Sequence, residues 1–157
     1  MFLERIDRTT LPKLMLTQAQ WSPFPKASDR AAWQALTATP VQAAICQHIQ
    51  STVQAQSQEP WPALPASLFA RCARDGKREA YEKPYFLRRG IMGVWSLAHW
   101  LNYDKTSLDN AMDALWSISE ESTWCLPAHD RRSLPHPLTD INNPIVDLFA
   151  SETGHLM

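Results

Sequence analysis

The chain has 157 residues, 45% of them hydrophobic and 20% charged, a composition that fits one globular domain and excludes a disordered or fibrous chain. A formal net charge of -1 provides no global field for nucleic acid, which is therefore not expected as a partner. No apolar run reaches the length of a membrane span, so no membrane partner is expected either.

The opening residues MFLERIDRTT carry charges at Glu4, Arg5, Asp7 and Arg8, which do not read as a secretory leader. Cys46, Cys72 and Cys125 are odd in number and widely spaced, which points away from a disulfide framework or a zinc knuckle. With no N-x-S/T acceptor site, these features place the expected location in a reducing cytoplasm. Seven tryptophans and twelve prolines stand against four glycines. Tryptophan in that number supplies large buried anchors, or a surface on which sugar rings stack.

Residues 1–27 are polar and proline-containing and are expected to be poorly structured, with a helical domain over 28–157. A helix start at Ser28-Asp29 leads a short helical pattern to Leu36. Pro40 suits the first turn of a second helix. Its expected stripe is Val41, Ala44, Ile45, His48, Ile49, Thr52 and Val53. Glu59-Pro60-Trp61-Pro62 is a break, and Pro65 opens a third helix that stops at Gly76.

Pro84 is read as the start of the strongest helix, apolar nearly all round from Gly90 to Leu101 and so buried on several sides. A short connection at 102–105 predicts an antiparallel neighbour, a fifth helix from Ser107 to about Glu120. Leu108, Ala111, Met112, Leu115 and Ile118 form its expected stripe, with Trp116 beside it. From Ser122 to Pro144 no helical or alternating pattern survives. A loop so long and so rich in Trp, His, Asn and Asp reads as functional. A last amphipathic segment begins near Ile145, and Met157 is expected to fall within a longer helix. The fold class is all-α, an array of antiparallel helical hairpins.

Glu120 to Asp130 brings two carboxylates, Trp124 and His129 into eleven residues. As a carbohydrate subsite, Trp124 would stack on a sugar face and His129 would hydrogen-bond a hydroxyl or carboxylate. As plain structure, Trp124 would plug the helix pair and His129 would cap the backbone, the commoner use of such residues. The set His129, Asp130, His136 and Asp140 fits no zinc spacing, and no metal is expected. Glu120 and Glu121, adjacent on a helix, point in different directions and cannot share a substrate atom as an acid pair. Seven of the fifteen basic residues lie between Arg71 and Arg89, opposed by Asp75, Glu79 and Glu82. They form either an anion-facing surface or a solvated helix junction. No nucleophile elbow, phosphate loop, dinucleotide fingerprint or H-E-x-x-H is present, and no cofactor is expected.

Three segments in order carry a resemblance over about residues 64–157. They are Arg78-Glu-Ala-Tyr81-Glu-Lys-Pro84-Tyr-Phe86-Leu-Arg88-Arg89, then Ala114 to Asp130 with its Trp124-Cys-Leu-Pro127-Ala-His129 element, then Asp147-Leu-Phe-Ala-Ser-Glu152-Thr153. Together they resemble the N-terminal helical region of heparinase II/III-like proteins. The resemblance implies an incomplete (α/α) toroid, and an acidic polysaccharide or oligosaccharide as partner. It also implies a parent activity of polysaccharide β-elimination, whose catalytic Tyr and His lie beyond the matched region. This chain is accordingly expected to hold no catalytic residues. Trp124 and His129, then Arg88 and Arg89, are its expected substrate-binding residues. A domain of this kind would leave apolar helix faces open, through which it would self-associate. Gly154, where the family pattern expects a small helix former, costs up to about 1 kcal/mol of helix stability.

Overall fold

The computed structural model describes residues 24–130 and 132–157. Most of residues 1–27, expected to be poorly structured, lies outside the described residues. The described part is all-α: among these residues the only β pairing is an isolated bridge between Ser133 and His136. The helices are α1 (Arg30–Ala35), α2 (Pro40–Gln56), α3 (Ala66–Phe69), α4 (Arg71–Asp75), α5 (Glu79–Asn102), α6 (Lys105–Ser119), α7 (Pro127–Asp130) and α8 (Leu148–Leu156).

Helix α5 is the hub, about 36 Å long at 1.5 Å per residue, and α1, α2, α3, α6 and α8 all touch it. It begins at Glu79, five residues before the expected start at Pro84. The missing Pro84 N–H costs one bond of the ladder. Extending the helix back past Pro84 buries Tyr81, which packs edge-on against Phe69 with ring centroids 5.2 Å apart. Packing of that ring outweighs the local breaker. The Arg78–Glu82 and Glu79–Lys83 pairs support the same turn.

The turn between α5 and α6 is two residues long. Tyr103 takes the left-handed conformation at φ 55°, and the Asp104 side chain accepts the Ser107 N–H at 2.8 Å to cap α6. Arg30 of α1 closes the other side of this corner, donating to the Trp100 and Leu101 carbonyls at the end of α5. Phe24, Trp33 and Trp100 pack together around it, with centroids 5.6–6.4 Å apart.

Two expected stripes hold only in part. On α6 Ile118, expected inside, is fully buried with Ser107 and Ala114, and Ala111 is half-buried, while Leu108, Met112 and Leu115 are exposed. Met92 of α5 packs against Ala114 and Ile118, and the other large apolar side chains are left at the flank. On α2 no residue is fully buried. Its half-buried positions are Gln42, Cys46, Ile49, Thr52, Val53 and Gln56, whereas Val41 and Ile45 face outward. The expected third helix is two short ones broken at Ala70. Phe69 and Ala70 at the break are both buried. Gly76 ends α4 at φ 71°, the left-handed stop expected of it.

Candidate functional site

On the inner face of α5, Tyr81, Tyr85, Arg88 and Arg89 recur at helical spacing, and all four are buried. Two arginines this deep require a counter-charge. It comes from Glu121, just past the end of α6, whose side chain is 5% exposed. Arg89 clamps both carboxylate oxygens, with Nη2 donating at 2.6 Å and Nη1 at 3.1 Å. Nη1 of Arg88 donates to the same carboxylate at 3.0 Å.

The network spreads from there to the rest of the chain. Arg89 Nε donates to Thr153 Oγ1 at 3.0 Å, and its guanidinium lies 3.4 Å from the Tyr85 ring centroid. The Tyr85 hydroxyl donates to the Trp124 carbonyl at 2.7 Å and lies 3.1 Å from Thr153 Oγ1. Arg88 Nε donates to the Pro62 carbonyl at 2.7 Å, which ties in the segment before α3. A single buried knot therefore joins α5, the end of α6, α8 and the 61–65 stretch.

Trp124 serves as an anchor. Its indole N–H donates to the Ile118 carbonyl at 2.9 Å, satisfying one of the open carbonyls at the end of α6. Its ring packs against the cluster of Met92, Ala114 and Ile118.

His129 is the more open of the two. Its ring stacks on Phe149, and Nδ1 lies 2.6 Å from Asp147 Oδ2. Asp147 also accepts the Ala150 and Leu126 N–H groups and caps α8. Burial of the Asp147 carboxyl raises its pKa, but the Ala150 N–H, the His129 ring and the Leu126 N–H outweigh that. The net result is a carboxyl below the usual carboxylate range.

Two depressions border these residues. The one beside His129 has a volume of about 440 Å³ and is lined by Ala128, His129, Ile145 and Asp147. A larger cleft of about 480 Å³ runs past Arg88, Trp61, Ser117, Glu120 and Thr123 to Leu138 and Ile141. The structure thus brings Arg88 and Arg89 together on Glu121, and places His129 at a different cavity from Arg88. Neither cavity is lined by Trp124 or Arg89.

The remaining surface charges of the basic run divide. Arg71, Arg78 and Lys83 pair with Asp75, Glu82 and Glu79 one helical turn away. Only Arg88 and Arg89 of that run go inside.

The Tyr81 hydroxyl and the Cys125 thiol are held in their neutral forms. Burial, then the nearby Glu121 charge, push the Tyr81 hydroxyl up to about 12. Burial, followed by Asp147 and Asp130, pushes the Cys125 thiol up to about 12, so it carries no nucleophilic thiolate near neutrality. Among the described residues no group of three or more His, Cys, Asp and Glu is placed to hold a metal. No helix of the described residues is long and apolar enough to cross a membrane.

Sequence reasoning set Glu121 aside as half of an acid pair and did not identify Tyr85, Asp147 or Thr153 as hydrogen-bond partners. The contacts of Glu121, Tyr85 and Thr153 span 32 to 68 residues of the chain and those of Asp147 with His129 and Leu126 span 18 and 21, and no local signal carries them. No protein-family model and no curated protein matches the chain.

Proposed function

We propose that this chain is the N-terminal helical part of a heparinase II/III-like polysaccharide lyase: a partial (α/α) toroid that holds acidic glycan and supplies no proton-transfer groups of its own. One observation carries this reading. The three segments of the resemblance, far apart in sequence, meet in one buried network: Tyr85, Arg88 and Arg89 from the first, Glu121 and Trp124 from the second, Thr153 from the third. A motif set that converges on one knot is under joint structural constraint. That is what a family signature in this part of the fold would be expected to encode.

β-Elimination of a polyuronide needs the carboxylate neutralised, a C5 proton removed and the leaving oxygen protonated. The tyrosines of the knot do not suit the proton steps. Tyr81 and Tyr85 are buried with raised pKa values, and the Tyr85 hydroxyl is already engaged. The test is an ultraviolet assay for unsaturated product with this chain and heparan sulfate or alginate, beside affinity electrophoresis in gels cast with the same polymers. Retardation without turnover is expected. Turnover would refute the claim of incompetence, and migration unaffected by every acidic polymer would sink the glycan reading.

A second reading, a helical interaction domain that self-associates, is favoured by one surface. Leu108, Met112, Leu115 and Trp116 are 39%, 57%, 38% and 69% exposed on one side of α6. Light scattering on the chain and on a Met112→Glu/Trp116→Glu variant decides it. A concentration-dependent oligomer that the double variant abolishes supports this reading, and a monomer at all concentrations removes it.

A further inference from the structure

A second, smaller cavity of about 170 Å³ lies where the end of α2, the middle of α5 and the middle of α6 meet. From α6 it is lined by Asn110, Asp113, Ala114 and Ser117, whose i, i+3, i+4 and i+7 spacing puts them on one face of that helix. Buried Ile91 and Trp95 of α5, with Ala114, give it an apolar floor. Trp61, from the connection after α2, adds a second indole.

The polar groups of this lining are unevenly matched. No Lys, Arg or His belongs to it. Glu59 and Asp113 are exposed, and neither carboxylate has an ion-pair partner among the described residues. The Asn110 side-chain N–H donates to the Thr106 carbonyl at 2.8 Å, which leaves the amide oxygen as an acceptor. The Trp61 indole N–H is buried with no acceptor, so the position gains nothing from its polar end, and what it contributes is its ring. That ring already receives one cation. The Arg88 guanidinium lies 5.3 Å from its centroid, and Arg88 lines the 480 Å³ cleft and not this cavity.

A lining rich in acceptors, free of cationic side chains and walled by indoles selects a ligand that donates and carries positive charge. An alkylammonium has three donors and no acceptor, and indole is the best aromatic surface for a cation. A metal ion suits the same walls poorly: among the described residues no group of three or more His, Cys, Asp and Glu is placed to hold one. A volume below the range usual for drug-sized ligands limits the occupant to a head group and a short stem.

We infer that this cavity binds a primary alkylammonium group, with its charge between Glu59 and Asp113 and its stem against Trp61, Trp95 and Ile91. Such a ligand is opposite in charge to an acidic glycan, and its site does not depend on glycan binding elsewhere on the chain.

The experiment is an NMR titration of the full chain with n-butylammonium, with 1-butanol as the neutral counterpart, read at the Trp95 indole N–H and the Ser117 amide. Butylammonium should give saturable shifts and bind at least about tenfold more tightly than 1-butanol. Asp113→Asn and Glu59→Gln alter exposed groups and keep the fold. Each should weaken butylammonium about fivefold, the scale of one charge at contact distance in water, and leave 1-butanol unchanged. Trp61→Leu should weaken it about threefold or more through loss of the aromatic face, and Trp61→Phe, which gives up no hydrogen bond, should recover part of that loss. If Trp61→Leu fails to fold, the two carboxamide variants still decide. Once butylammonium binds, a lysine capped at both ends distinguishes the source of the amine. Its binding at the same residues admits a lysine side chain of a peptide, its failure restricts the site to free amines, and both support the assignment. Equal binding of 1-butanol, butylammonium binding unchanged when Asp113→Asn and Glu59→Gln are combined, or shifts confined to residues away from the cavity overturns it.

Discussion

Helices α2 and α5 are both long, and they are helical for opposite reasons. The 17 residues of α2 have a strong local start, with Pro40 in the first turn and the Thr39 hydroxyl accepting the Gln42 N–H, yet none of them is fully buried. The 24 residues of α5 contain Pro84, Gly90 and Gly93 and lack a side-chain cap at Arg78, yet eight of them are buried. Propensity writes the first helix and packing enforces the second. In proteins most helical stability comes from tertiary packing, so α5 and its knot should define the global unfolding unit, with α2 opening below it.

The largest expected effect breaks the α5 side of this comparison. Glu121→Gln leaves two buried guanidinium groups without a counter-charge and should cost about 3–5 kcal/mol in urea unfolding. A loss below about 1 kcal/mol would mean that the pair is solvated in solution and that the knot is not the stabilising unit.

Next comes the junction of α7 and α8. Asp147→Ala removes the cap of α8 and the partner of His129 and should cost about 1 kcal/mol at neutral pH. Asp147→Asn keeps a cap and should cost less. The folded carboxyl lies below its usual value, so its contribution is complete above the unfolded aspartate value of about 4 and is lost as pH falls through the folded value. The acid limb of the stability profile below about pH 4 should therefore be shallower in both variants than in the parent. Parallel limbs would show that Asp147 titrates alike in the folded and unfolded chains.

Gly154→Ala should act with the opposite sign. The residue is exposed and helical, and an added Cβ would meet only Trp124 at 3.9 Å, ordinary van der Waals contact. A gain of about 0.5–1 kcal/mol is expected in thermal or urea melts. A loss would indicate that α8 is less regular in solution than the glycine's surroundings imply.

The smallest effect sharpens the α2 side. Ile45→Ser, at a position 56% exposed, should change global stability by no more than about 0.5 kcal/mol. Hydrogen exchange should find the α2 amides opening at a lower free energy than those of α5 near Arg89. Equal protection in both helices would show that α2 unfolds with the core and that the contrast drawn from burial is wrong.

How much of this was legible in the residues follows the same division. Helix starts at Asp29 and Pro40 and the stop at Gly76 were readable, because caps and left-handed stops are chemistry between near neighbours. The start of α5 was not, because burial of Tyr81 against Phe69 outweighs Pro84, and that contact is invisible to a local window. The facing sides of α2 and α6 were read only in part: Ile49, Thr52, Val53 and Ile118 turn inward as expected, whereas Val41, Ile45, Leu108, Met112 and Leu115 do not. Periodicity locates an apolar stripe, while the neighbour's shape selects which part of it is covered.

For the candidate site, residue types alone flagged Arg88, Arg89, Trp124 and His129 as chemically loaded. The sequence by itself determined an all-α chain, the helix starts at Asp29 and Pro40, the stop at Gly76, and a basic run that ends in Arg88 and Arg89. Only the tertiary structure decided where those charges go. Glu121, Thr153 and Pro62 come within hydrogen-bonding reach only when α6, α8 and the 61–65 stretch pack on α5, and electrostatic pairing in a low-dielectric interior depends on distance in space rather than along the chain. That packing sets Arg89 inside the knot and leaves Arg88, with the Trp61 ring against its guanidinium, at the wall of the cleft.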